Sequence, residues 1–416
     1  MNHPRIERVE LRADLFRSDL PSIVPRLTHQ TAADRPHPDT ISVFLATQEG
    51  DFAPNLRLRG YGDAAEAAGN IDAIRIAELY LESKHDHSKS RLGRVAAVGG
   101  VAHAGVQYTP ASARITRREH FYLGESGDES RRLTLDTSRI LYAIDGGVRL
   151  RRLGDLGPRI EIKSPDRAEA DAVAAEYDLF SMGYALPYRS LELVLADRLR
   201  QRISPATYAD LPETEMKYAV GSTEGPVVDV MHTFVDENDT LMSLNPPDMP
   251  LNRIRRYHIC TSGDKVVTVV ETMAGRFSLK QKTETKHTDG GLTIRTTAAN
   301  HATDTTGALL SLDQFMAMHN LTHRVSFTKI QRKVPFYDTE TGIAMHLTDD
   351  YCTSATGATF RQVELEFIGS IADRPDEDLV RTTMERVGNH FLQRANADGV
   401  RLSRTYQDKA SYFLQT

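Results

Sequence analysis

Apolar and polar residues alternate with a period of two along most of this chain, the pattern of strands that bury one face. Such runs predict strands at Ile6–Leu11, Thr40–Leu45, Asn55–Tyr61, Ile74–Lys84, Arg114–Leu123, Arg131–Asp136, Val148–Leu153 and Arg159–Lys163. The period turns helical at Arg167–Leu179 and again at Ser190–Arg202. A second series of strands is predicted at Thr214–Val220, Val227–Val235, Arg253–Cys260, Val266–Glu271, Arg276–Lys282, Leu292–Thr297, Arg324–Ile330, Ile343–Thr348 and Gln362–Ile368, with a helix at Asp376–Arg394. Both series end as strand, turn, helix. Glu364 follows Glu161 by 203 positions and Glu215 follows Glu10 by 205, so the chain reads as one module of about 200 residues used twice. The expected domains are 1–205 and 206–416, joined within Leu191–Pro212.

The polar positions of these strands are mostly charged. Glu213, Glu215 and Lys217 fall on one face, with Thr214, Met216 and Tyr218 on the other. Arg276, Lys280 and Lys282 line up with Phe277 and Leu279 behind them, and Glu364 and Glu366 repeat the alternation. The first half does likewise with Arg57 and Arg59, Glu82 and Lys84, Arg132 and Asp136, Arg149 and Arg151, and Arg159, Glu161 and Lys163. A solvated sheet face is the plain explanation for any one strand. Solvated faces usually mix Thr, Ser, Gln and Asn with Lys, whereas here Arg and Glu recur strand after strand. A closed barrel with an apolar outside and a charged interior fits that recurrence better.

Such an interior is costly unless its charges are matched, because an unpaired buried ion costs several kcal/mol. Arg and Lys would gather a polyanion through charge-assisted hydrogen bonds. Carboxylates would hold Mg²⁺ or Mn²⁺, hard cations that take oxygen ligands and bridge to phosphate.

Composition narrows the classes. The 416 residues are 40% hydrophobic and 26% charged, ordinary for a globular protein. No run reaches the roughly 20 apolar residues of a bilayer span, and the start has no apolar signal-peptide core, so neither a membrane protein nor export is expected. Two cysteines, Cys260 and Cys352, make no disulfide framework, and a cytoplasmic location is expected. A net charge of −6 argues against a nucleic-acid partner.

Glu213-x-Glu215-x-Lys217 resembles the opening ExExK strand of CYTH domains, members of the triphosphate tunnel metalloenzyme superfamily. Arg276, Lys280, Lys282, Arg295, Arg324, Lys329 and Arg332 follow in the expected order. Asp349 and Asp350 come next, then the closing Glu364-x-Glu366. The first half resembles the VTC domain of polyphosphate polymerases through Glu10 and Arg12, Arg57 and Arg59, Glu82 and Lys84, Arg91, Arg132 and Asp136, and Glu161 and Lys163.

The resemblance implies an α+β chain of two tandem antiparallel eight-stranded tunnel β-barrels with flanking helices. It implies divalent-metal-dependent phosphoryl transfer on a triphosphate or polyphosphate, with hydrolysis first and polymerisation or nucleotide cyclisation as alternatives. A non-catalytic polyanion scaffold is the reading outside enzymology. Glu213, Glu215, Glu364 and Glu366, with Lys217, would form the catalytic centre. The same four glutamates, Asp350 and Glu161 would be metal ligands. The basic residues above, with Arg151 and Lys163, would bind phosphate. Asp350 is favoured over Asp349 by its alternation with His346 and Thr348, and a homodimer is compatible with the pattern. The first half closes on Glu161-x-Lys163 instead of Glu-x-Glu, so a lower metal capacity is expected there. Lys329 is out of phase with Arg324 and Arg332, which calls for a bulge in that strand.

Overall fold

The computed structural model describes residues 9–27, 31–32, 39–48, 52–63, 70–71, 75–85, 88–96, 98–123, 131–176, 205–208, 210–223, 227–244, 251–300 and 311–416. The predicted helix Ser190–Arg202 and most of the predicted junction lie outside them. The chain divides into two compact units, residues 1–199 with 273–275 and residues 200–272 with 276–416.

The first unit is one antiparallel sheet. Its strands are β1 (Val9–Asp14), β2 (Thr31–Ala32), β3 (Asp39–Thr47), β4 (Phe52–Asp63), β5 (Arg75–His85), β6 (Ser88–Arg94), β7 (Val101–His103), β8 (Val106–Tyr122), β9 (Arg132–Asp145), β10 (Arg149–Asp155) and β11 (Arg159–Ser164). The main path runs β1-β11-β9-β8-β3-β4-β5-β6. Helices Leu20–Leu27 and Arg167–Glu176 press Ile23, Leu27, Ala170 and Ala174 onto Leu133, Leu135, Ile160 and Ile162.

The second unit holds β12 (Glu213–Thr223), β13 (Leu241–Ser243), β14 (Leu251–Ser262), β15 (Lys265–Thr272), β16 (Phe277–His287), β17 (Leu292–Asn300), β18 (Thr322–Asp338), β19 (Ile343–Ser354), β20 (Thr359–Ser370) and β21 (Val400–Arg404). Here β12-β20-β19-β18-β14-β15-β16-β17 returns to β12, so eight antiparallel strands close into a ring. The two paths visit their strands in the same chain order, one connectivity written twice. In the first unit no pairing among the described residues joins β6 to β1, so two closed barrels are not reproduced.

The ring sorts its side chains by parity. Met216, Tyr218, Leu292, Val334, Met345, Leu347, Val363 and Leu365 face outward under two helices, Val227–Asp236 and Glu377–Ala397. The longer helix lays Val380, Met384, Val387, Phe391 and Ala395 on them, and Asp376 caps its start by accepting from the Leu379 amide at 2.7 Å. Val227–Asp236 is a correction, since its valine-rich start reads as a strand. Its buried residues, Val227, Val228, Met231, Phe234 and Val235, recur at helical spacing, and packing decides over β-propensity.

Gly388 lets the longer helix approach the ring closely. The Tyr218 hydroxyl donates to its carbonyl at 2.8 Å, and an added Cβ would stand 2.5 Å from Met216 Sδ and 2.7 Å from Tyr218 Oη. Gly388→Ala should therefore destabilise by about 1–3 kcal/mol through overpacking, although alanine favours a helix by about 1 kcal/mol. Urea denaturation checks it, and a gain in stability would refute the packing. No helix among the described residues is long and apolar enough to cross a membrane.

Candidate functional site

The inner face of the second unit's ring carries charge from most of its strands. On β12, Glu215 and Lys217 are buried, and on β20 their direct cross-strand partners are Glu366 and Glu364. Two carboxylates facing each other repel unless something lies between or beside them. Arg295 of β17 stands 2.8 Å from Glu215, and Lys217 2.9 Å from the same oxygen. Lys280 of β16 pairs with Glu213 at 3.2 Å. Lys329 of β18 reaches the fully buried Asp350 of β19 at 3.0 Å, while His346 Nε2 is 2.6 Å from Glu366 and 3.1 Å from Lys333.

These neighbours move the titrations. Burial pushes the Glu364 carboxyl up, but Lys409, Lys217 and Lys329 outweigh it and hold it well below the usual carboxylate range. Burial likewise opposes ionisation of Glu366, and His346 and Lys333 overcome it. Burial would lower the Lys329 ammonium, yet Asp350 raises it on balance. At these three groups burial is the largest single influence, and the ion pairs together outweigh it.

Among the described residues, no three His, Cys, Asp or Glu side chains converge as a ready-made metal site. The donor set still suits Mg²⁺, which needs only one or two carboxylates and completes its shell with water and phosphate oxygens. Glu215 Oε1 lies within 2.9 Å of two cations yet accepts no aligned hydrogen bond, and Asp350 Oδ1 is buried without one. Such oxygens suit a hard ion, whose attraction has no donor direction to satisfy.

Sequence reasoning missed Lys409. After the Glu377–Ala397 helix and β21, a final helix, Lys409–Gln415, brings its ammonium to Glu364 at 2.7 Å, Asp350 at 3.0 Å and the Gln362 side-chain oxygen at 3.1 Å. The same helix stacks Phe413 on Phe327 with ring centroids 4.4 Å apart, beside Ile259 and Cys352. Phe327 shares strand parity with Lys329, so this part of the interior is aromatic. Apolar surroundings push the Cys352 thiol up to about 12.

Other expected residues fall elsewhere. Arg276 is exposed, just before β16 begins, and Arg324 is exposed with its Nε donating to Thr261. The register shift between Ile259 and Cys260 on β14 falls at Arg324, since Val325 and His323 on either side of it are the paired residues; the bulge does not bring Arg324 to the face of Lys329. Arg332 faces outward with Asp349, which Arg361 clasps through two hydrogen bonds. Arg151 is exposed beside Asp145. The side chains of Lys282 and Lys84 lie outside the described residues.

In the first unit, Arg12 is the cross-strand partner of Glu161, as Lys217 is of Glu364. Two residues upstream, Glu10 faces Lys163, where the second unit opposes Glu215 to Glu366. A lysine thus stands in the place of a carboxylate, and Lys163 ion-pairs with Glu161 and with Glu10. Arg118 clasps Asp136 at 2.6 Å and Arg57 reaches Glu82 at 3.3 Å. Arg132, half-buried, opens β9 opposite Lys163. Arg59 instead donates to Ser42 Oγ at 3.1 Å, and burial with Arg57 and Arg118 nearby lowers its guanidinium to about 10.

Asp14 is held between Arg139 at 2.6 Å and Arg159 at 2.8 Å. Burial pushes its carboxyl up, and the two guanidiniums bring it below its ordinary value. A depressed folded value stabilises above the unfolded value of about 4 and is lost as pH falls toward the folded one. Urea melts between pH 7 and 3 should show this loss in the wild type and a shallower one in Asp14→Asn; equal slopes would refute it.

No family model matches the chain. No curated protein matches it either. Among solved structures it resembles the Schizosaccharomyces pombe Pct1 RNA triphosphatase in complex with the Spt5 CTD, at 11% identity over 53% of this chain and 96% of that one, with a TM-score of 0.24. A second structure of the S. pombe enzyme is 10% identical over 48% and 84%, with a TM-score of 0.23. At such TM-scores the resemblance carries no weight for this chain's fold or chemistry.

Proposed function

We propose that residues 206–416 form a CYTH-like triphosphatase that needs Mg²⁺ or Mn²⁺, and that residues 1–205 are a VTC-like copy that binds phosphate without the metal pair. The carrying observation is the direct opposition of Glu215 and Glu366 on the inner face of a closed ring, flanked by Arg295, Lys280 and Lys217. Glu215 and Glu366 would hold the divalent ion, with Glu213, Glu364 and Asp350 nearby. When bound, the ion neutralises phosphate charge and acidifies a water. Arg295, Lys280 and Lys329, each beside a carboxylate, would grip the phosphate oxygens. His346 fixes the aim of Glu366. Positioning and charge carry most of phosphoryl transfer, which is what a preorganised ring of cations supplies.

One observation favours the polyanion-binding reading. Glu213, Glu215, Glu364 and Glu366 each already have a cationic or imidazole partner within 3.2 Å. Incubation with tripolyphosphate, ATP and other nucleoside triphosphates plus Mg²⁺ or Mn²⁺ separates the readings. Free phosphate supports hydrolysis, cyclic nucleotide or long chains support the other reactions of the fold, and a raised melting temperature without product supports binding. Arg57→Ala with Arg59→Ala should weaken polyphosphate binding and leave turnover intact if the first unit is an auxiliary copy.

A further inference from the structure

On the outer wall of the second unit, a hydrogen-bonded chain joins four side chains from three adjacent strands. Glu271 of β15 is fully buried, and its Oε2 lies 3.0 Å from His258 Nε2 of β14. The other ring nitrogen, His258 Nδ1, lies 2.8 Å from Ser326 Oγ of β18. On its far side the same hydroxyl is 2.7 Å from Nε2 of the exposed His323.

Register explains the assembly. His258 is the cross-strand partner of both Val269 and Ser326, so all three share a face, and Glu271 is the next residue on that face of β15. That face is the outside of the ring, because the neighbouring Tyr257 and Phe327 share parity with the inward Lys329. Arg256, the cross-strand partner of Glu271, stands 3.6 Å from its carboxylate.

The proton positions follow from the partners. Glu271 accepts, so His258 Nε2 carries a hydrogen. In that tautomer Nδ1 offers a lone pair, and Ser326 Oγ–H donates to it. The serine oxygen is then free to accept from His323 Nε2–H. Every group in the chain is satisfied in one arrangement, and that arrangement aims the serine proton at an imidazole backed by a carboxylate. A nucleophile beside a base, with the base oriented by a third group, is the relation that activates a hydroxyl.

We propose that Ser326 is a nucleophile that takes an acyl group from activated carboxylic esters, at a site separate from the interior of the ring. Ser326 Oγ attacks the ester carbonyl and forms the new C–O bond. Its proton passes to His258 Nδ1, and the bond to an acidic phenol breaks with the electron pair leaving on the phenolate. His258 gives that proton to the phenolate or to solvent and, neutral again, takes one from the water that attacks the acyl-serine. The C–O bond to Ser326 breaks, the proton passes to Oγ, and the carboxylic acid leaves. The step uses no metal, no oxidant and no charge from the interior.

The test uses the full chain in EDTA with two probes, p-nitrophenyl acetate and an alkyl fluorophosphonate. The fluorophosphonate forms the analogous P–O bond with loss of fluoride. The expected result is one adduct per chain on the peptide containing Ser326, with p-nitrophenolate released. Ser326→Ala, at a partly exposed position, should abolish both signals. Glu271→Gln should slow labelling by roughly 10²-fold, the scale of an oriented general base, with melting curves confirming that the variant folds. A wild-type chain that takes no adduct, an adduct on another residue, or wild-type labelling rates in Glu271→Gln would each overturn the proposal.

Discussion

Glu366→Gln should lower tripolyphosphate turnover by at least about 10²-fold while leaving the melting temperature nearly unchanged. Loss of even an outer partner of a metal ligand typically costs 10–100-fold, and Glu366 is proposed to be a ligand itself. The swap suits the test because glutamine keeps the length, and its side-chain oxygen still accepts from His346, 2.6 Å away in the wild type. The side chain is also 28% exposed, so little buried charge is left stranded. His346 and Lys333 keep this half-buried carboxyl ionised, so the substitution removes a full charge at any working pH. The residues proposed to grip the anion, Arg295, Lys280 and Lys329, are untouched, so the loss should fall on kcat and spare KM. Phosphate release at saturating Mg²⁺, beside a thermal melt, checks both halves. Wild-type turnover in the variant would remove the opposed glutamates from the metal site and leave the polyanion-binding reading in possession.

Much of this interior is visible in the sequence, for a simple reason. A strand with period two announces its faces, so Glu213, Glu215 and Lys217 could be put on one side and Met216 and Tyr218 on the other without coordinates. The matched ends of the halves likewise announced a shared connectivity. Parity carries no information at a bulge, and Arg324 is the residue that the bulge in this strand leaves without a cross-strand partner on β14. Parity also cannot separate a strand from a short helix when the run opens on several valines, as at Val227–Asp236. It put Arg332 opposite Lys329 but could not say which of the two faces was the outer one, where Asp349 pairs with both Arg332 and Arg361 in a cluster built from three strands. The lysine that replaces a carboxylate opposite Glu10 was legible as Glu161-x-Lys163, but its meaning came from register.

Lys409 was illegible because nothing in its own neighbourhood repeats. It lies in a short tail helix, 45 positions from Glu364, and only the folded ring brings the two together. Lys409→Met should destabilise the protein by about 3–5 kcal/mol, the usual cost of removing one partner from a buried ion pair. At roughly 2–4 °C per kcal/mol for a unit of this size, the midpoint should fall by roughly 6–20 °C. The physical reason is the company the ammonium keeps. Asp350 is fully buried and Glu364 nearly so, and without Lys409 they retain Lys329 at 3.0 Å and Lys217 at 3.8 Å. Burial alone would lower the Lys409 ammonium, but Glu364 and Asp350 raise it well above its ordinary value, so the pair is engaged throughout the neutral range. Two further measurements identify the cause. Adding Asp350→Asn to Lys409→Met should recover part of the loss, giving a non-additive double-mutant cycle, because one of the stranded carboxylates is gone. Millimolar Mg²⁺ should raise the midpoint of Lys409→Met more than that of the wild type, since the freed oxygens of Glu364 and Asp350 then have a hard cation to bind. A variant that melts with the wild type would show that the ammonium does not bridge Glu364 and Asp350.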